Sequence, residues 1–107
     1  MDGNTNGESD LVTQVRHKYL LSGVALATLT GISEMSIVRY SKGEEIQNTA
    51  IKTLLILCLN VETFDNLFRL RSSQLTPSQR EITQNQINKL QNTINAEVHS
   101  YRQSLLT

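Results

Sequence analysis

The side chains between Ser33 and Lys42 are suited to the edges of base pairs. Arg39 carries a guanidinium fork that matches guanine O6 and N7, Glu34 can accept from a cytosine amine, and Met35 or Val38 can pack on a thymine methyl. Ser33 and Ser36 place small hydroxyls between them, and Lys42 follows one turn after Val38. Around this run, Ser22, Gly23 and Asn48 stand where helices are expected to begin. Free backbone N–H groups and the helix dipole there favour phosphate oxygens. Lys42 and Lys52 could add charge to the same backbone contact. Together these groups suit duplex readout, in which a helix enters the major groove by its amino-terminal residues.

Such readout needs two helices held at a steep angle, and Leu21 to Gly43 has the signals for them. Ser22 can cap a helix over residues 23–30, and Gly31 supplies the left-handed residue that ends it. Ser33 can cap a second helix from Glu34 to Lys42, with Glu34 near its positive end and Gly43 closing it. Leu26, Ala27, Ile32, Ile37 and Tyr40 form the inward set. Ala27 and Ile37 supply the small and the branched residue that a close crossing requires. This is helix-turn-helix spacing.

The rest of the chain reads as support. Residues 1–9 hold no apolar side chain beyond Met1 and are expected to form a disordered leader. From a capping Asp10, the stripe Leu11, Val12, Val15, Tyr19, Leu20 predicts a first helix, with Arg16, His17 and Lys18 off it. Asn48 caps an apolar helix over residues 49–59, whose buried face is Ile51, Leu54, Leu55 and Cys58. Ile56, Leu57 and Leu59 lie on other faces, so that helix is either central or covered by a partner. Asn60 caps a further helix that buries Val61, Phe64, Leu67, Phe68 and Leu70.

Thr76, Pro77 and Gln79 then make a capping-box signature. The helix that follows, over residues 76–105, contains no glycine and no further proline. Its apolar positions are Ile82, Ile87, Leu90, Ile94, Val98, Tyr101 and Leu105, and from Ile87 onward the steps are three, four, four, three and four. That eleven-residue period suits a nearly straight helix with a thin seam. Two uses are open for the seam. Ile87, Leu90, Ile94, Val98, Tyr101 and Leu105 can pack across a dimer axis, which the narrow stripe favours, or the helix can fold back over the bundle.

Composition narrows the function. In 107 residues, ten basic side chains balance ten acidic ones, so any nucleic-acid site must be a local patch rather than a global field. The apolar run from Leu54 to Leu59 is too short to cross a bilayer, and Cys58 within it reads as a core residue of a reducing compartment. A soluble cytoplasmic protein without a membrane partner is expected. His17 and His99 have no Cys or acid at ligand spacing, and no nucleophile–base set or Gly-rich phosphate loop is present. We therefore expect no enzyme, metal or cofactor.

Ser22-Gly23, Leu26-Ala27, Gly31-Ile32-Ser33 and the stretch from Ile37 to Gly43 resemble the Cro and phage-repressor (Xre-type) helix-turn-helix family. The continuation through Ile46-Gln47-Asn48, Leu54-Leu55 and residues 61–67 is similar to the subgroup found in MqsA-type antitoxins. The resemblance covers residues 10–70. It implies an all-α, five-helix, lambda-repressor-like DNA-binding domain over residues 10–71, with the long helix appended. It also implies a dimeric repressor of transcription on an inverted-repeat operator. Its contact set would be Ser22, Gly23, Ser33, Glu34, Met35, Ser36, Val38, Arg39, Lys42, Asn48 and Lys52. The chain departs from the family pattern where Gly23 replaces a phosphate-contacting glutamine, Ser41 a glutamate, and Val38 a polar residue. Two other functions stay open: the antitoxin of a toxin–antitoxin pair, and a helix-turn-helix module that binds only protein.

Overall fold

The computed structural model describes the backbone of residues 11–106 and the side chains of residues 11–98. The expected leader, the Asp10 cap and the side chains of His99, Tyr101 and Leu105 lie outside the described residues. The fold is all-α. In chain order it contains α1 (Leu11–Tyr19), α2 (Gly23–Thr30), α3 (Glu34–Ser41), α4 (Thr49–Cys58), α5 (Val61–Arg71), a 3-10 turn over Ser72–Gln74, and α6 (Pro77–Leu106).

Local chemistry sets the helix boundaries. Ser22, Ser33, Asn48, Asn60 and Thr76 each accept from the backbone N–H three residues on, satisfying one of the donors that a helix start leaves free. Gly31, at φ 81°, ends α2 through its N–H to the Ala27 carbonyl. Gly43, at φ 100°, ends α3, and the Glu44 N–H returns to the Arg39 carbonyl. The same closure ends α1, but its left-handed position is held by Leu20, at φ 58°, with the Leu21 N–H on the Arg16 carbonyl. Leu20 therefore leaves the apolar stripe on which it was expected and is about half exposed.

Tyr19 lies at the centre of the core. Its ring stacks on Phe64 at 3.7 Å between centroids, and Phe64 meets Phe68 in turn. Its hydroxyl donates to the Cys58 carbonyl at the end of α4. Val12, Val15, Leu26, Leu29 and Leu55 belong to the same core cluster and are fully buried. As read from the sequence, Ala27, Ile32, Ile37 and Tyr40 also face inward.

The long helix divides its seam between two environments. Ile87 is fully buried and Leu90 is half-buried against the bundle core, so these two expected dimer positions are used within the chain. The first half of α6 folds back on α1 and α5. Further along, Ile94 and Val98 stay 44% and 45% exposed, and helical backbone continues to Leu106. Other apolar expectations change. Leu70 points outward, Ile82 faces away from the core, and Ile51, Leu54 and Leu67 are half rather than fully buried. In their place the fold buries Asp65, paired with Arg69 and within reach of Gln91, and Thr83. Gln79 does not return to its own helix start as a capping box would; its side chain crosses to the α1–α2 corner.

Two outcomes follow for stability. Ile87→Ala should cost about 2–5 kcal/mol in urea denaturation, and Ile94→Ala should stay within about 0.5 kcal/mol in the monomer. Burial also raises the Cys58 thiol from 9.0 to about 11 and pushes the Tyr19 phenol well above its ordinary 10.0, the phenol with a further contribution from nearby Cys58. Both groups are held neutral by the fold, so their contribution is complete below the unfolded values. It is lost as pH rises, from near 9 for Cys58 and above 10 for Tyr19. The urea midpoint should therefore fall through that alkaline window, and Cys58→Ala should remove the earlier part of the fall.

Candidate nucleic-acid interface

α3 reaches the surface because its inner face carries only two anchors, Ile37 and Tyr40, both buried against the bundle. The α2 carboxyl end and the turn at Gly31–Ser33 then aim its amino-terminal half outward. Glu34, Met35, Val38, Arg39 and Lys42 are all exposed, Met35 by 75%. Ser33 is exposed and Ser36 half-buried; their hydroxyls bond each other, and the Ser33 hydroxyl also accepts from the Ser36 N–H.

Arg39 is not extended into solvent. Its Nε lies 3.3 Å from Glu44, and its terminal nitrogen donates to the Ser36 hydroxyl at 3.2 Å. Both partners of the ion pair are about half exposed, so the pair is worth about 0–1 kcal/mol and yields readily to a better acceptor. The role of Glu44 as the resting partner of Arg39 depends on how Gly43 turns the chain, which spacing alone does not reveal.

Five of the expected contact residues converge on one groove. Ser22, Gly23, Glu34, Val38 and Lys42 line a space of about 300 Å³ between α2 and α3, joined by Arg16, Val24, Ile37 and Ser41. Its walls are largely apolar, with Val24 58% and Val38 50% exposed. Val24 and Arg16 had no expected role. Val24 could have been found from its position beside Gly23 on the first turn of α2, while Arg16 arrives only through the α1–α2 corner. Gly23 leaves the groove open, since a Cβ built on it would meet only the Ile37 Cγ2 at an ordinary 3.5 Å.

The remaining expected residues lie to one side. Ser33 shares a depression of about 230 Å³ with Thr30, Gly31 and Ile32 of the turn and with Ala50, Ile51 and Leu54 of α4. Asn48 and Lys52 belong to the start of that helix: Asn48 is exposed and caps it, and Lys52 is half-buried. Among the described residues no group of three or more His, Cys, Asp or Glu side chains is placed to hold a metal ion. No helix among them is long and apolar enough to cross a membrane.

The two glycines of this corner should respond in opposite ways. Gly31→Ala forces a side chain into the left-handed region and should cost about 1–2 kcal/mol of stability in thermal unfolding. Gly23→Ala sits in helical backbone with room for its methyl group and should be neutral or stabilising by up to about 1 kcal/mol. No protein-family model, curated protein or solved structure matches this chain.

Proposed function

We propose that the chain is a sequence-specific regulator of transcription, a repressor acting in the cytoplasm, that binds an inverted repeat in double-stranded DNA as a homodimer. One observation carries this reading: the capped α2–Gly31–α3 corner presents Ser33, Glu34, Met35, Val38, Arg39 and Lys42 outward on a helix buried only along its opposite face. Arg39, released from Glu44, supplies the fork for a guanine, and Met35 and Val38 supply apolar contact for thymine methyls. The α2 start, at Ser22 and Gly23, lies beside this surface and suits a phosphate.

Dimerisation answers the shortage of charge. With so few cations on this face, one copy neutralises few phosphates, and a second copy doubles them. The outer half of α6 offers the seam. Ile94 and Val98 are 44% and 45% exposed there, Ile94 at the edge of a groove along α5, so both leave apolar surface for a packing partner. A second reading, a protein-binding module or antitoxin, draws on the exposed Val24, Met35 and Val38. These residues would suit a partner's apolar side chains as well as a base.

Fluorescence anisotropy with duplexes from the chain's own upstream region, at low salt, tests the proposal. Specific binding weakened by about 1–3 kcal/mol in Arg39→Ala is the expected result. No duplex binding alongside capture of a protein partner would replace the repressor by the module. For the seam, light scattering should give a dimer mass that Ile94→Glu with Val98→Glu reduces to monomer while helicity is kept. Removing α6 entirely is a poorer test, because it strips Ile87 from the core.

A further inference from the structure

Three polar side chains on one face of α6 meet three consecutive backbone carbonyls at the end of α1. Gln86 Nε2 donates to the Lys18 carbonyl at 2.9 Å, Thr83 Oγ1 to the Tyr19 carbonyl at 3.1 Å, and Gln79 Nε2 to the Leu20 carbonyl at 2.9 Å. Residue numbers rise along one helix as they fall along the other, so the two run antiparallel in register. Gln79 Nε2 also donates to the Thr83 hydroxyl, and its Oε1 accepts from the Ser22 N–H at 3.3 Å. One amide proton and one acceptor site of Gln79 are thus committed to the two residues that flank Leu21, and its other amide proton to Thr83.

Core packing alone does not require this arrangement. Thr83 is fully buried, where an aliphatic residue of similar volume would add apolar burial. Directional bonds instead fix how far α6 slides along α1 and how it is rotated, which apolar contact leaves loose. The corner they hold is the one from which α2 departs. Leu20 turns the chain at φ 58°, and Ser22 begins α2 two residues later.

We infer that Gln79, seated by Thr83, is a positioning residue for the start of α2, and that α6 thereby sets how this helix end meets the DNA backbone. The purpose rests on the DNA reading, whereas the latch itself does not. Gln79 reaches the helix start from 57 residues away in sequence. Its bond is to the N–H of Ser22, the cap that precedes the first turn of α2.

Two variants of the full chain test this at a temperature where circular dichroism shows all forms folded. Gln79→Met keeps the length of the side chain and removes every hydrogen bond. Gln79→Glu keeps an acceptor for the Ser22 N–H and loses the donors. Amide exchange at Ser22 should accelerate about fivefold in the methionine variant, the equivalent of one ordinary hydrogen bond, and stay near wild type in the glutamate variant. Affinity for specific and for non-specific duplex should fall together in Gln79→Met, by about threefold to tenfold, with base preference and salt slope unchanged, as expected for a lost uncharged backbone contact. Unchanged Ser22 exchange in the methionine variant would overturn the latch. Faster exchange with wild-type affinity would overturn its positioning role. If the wild-type chain binds no duplex, the repressor reading and the positioning role both fall, and the latch is then judged on exchange at Ser22 alone.

Discussion

Tyr19 is the residue through which every helix of the support depends on the others. Its ring stacks on Phe64 of α5, its hydroxyl is satisfied by the last carbonyl of α4, and its own carbonyl is satisfied by Thr83 of α6. A buried phenol without a partner would cost several kcal/mol, so the position of the Cys58 carbonyl is a condition for the ring to be there at all. Lys18 adds a parallel tie one residue earlier, its ammonium donating to the Leu59 carbonyl. The end of α1 is therefore a fixed point, and the turn to α2 and the placing of α3 are measured from it.

Against that fixed frame, the outward face of α2 and α3 is lightly built. Its arginine rests on a neighbouring glutamate, its groove is walled by valines, and the hydroxyls of Ser33 and Ser36 bond each other. None of these contacts is costly to exchange. A rigid interior with a weakly committed surface lets a partner's groups replace internal ones without disturbing the fold, which is the arrangement a recognition surface needs. The same economy explains why the surface leaves both nucleic acid and protein as conceivable partners: affinity would come from geometry and from a second copy more than from charge.

How much of this could be read in the sequence depends on the range of the interaction concerned. Ser22, Ser33, Asn48, Asn60 and Thr76 were legible as caps because a cap and its N–H are three residues apart, and Gly31 and Gly43 because a left-handed turn favours glycine. Leu26, Ala27, Ile37 and Tyr40 followed from spacing alone, whereas Ala25 and Leu29, also buried in α2, did not. Leu20 was misread because a periodic stripe says nothing of where a helix stops, and a leucine in a left-handed turn carries no signal. Ile87 and Leu90 were legible as apolar but not in their destination, since the same stripe serves a neighbouring helix or another chain. Gln79 looked like half of a capping box, a local motif, and its true partners sit at a corner that only the folded chain brings near. Within the candidate interface, the α3 residues were readable one by one, whereas the groove and the Arg39–Glu44 pair exist only once two helices and a turn are assembled.

α6 carries two kinds of constraint along one unbroken rod. Up to about Gln91 every third or fourth residue answers to the interior of its own bundle, and a change there is judged by the fold. Beyond it the described side chains are exposed, with Ile94 and Asn95 bordering a groove along α5 rather than entering the core. Substitutions can accumulate in that outer stretch, altering which surfaces it meets, without loosening Tyr19 or the corner it anchors. The molecule can thus acquire a new associate while keeping its old shape, and the seat of that freedom is the stretch from Asn92 to Val98.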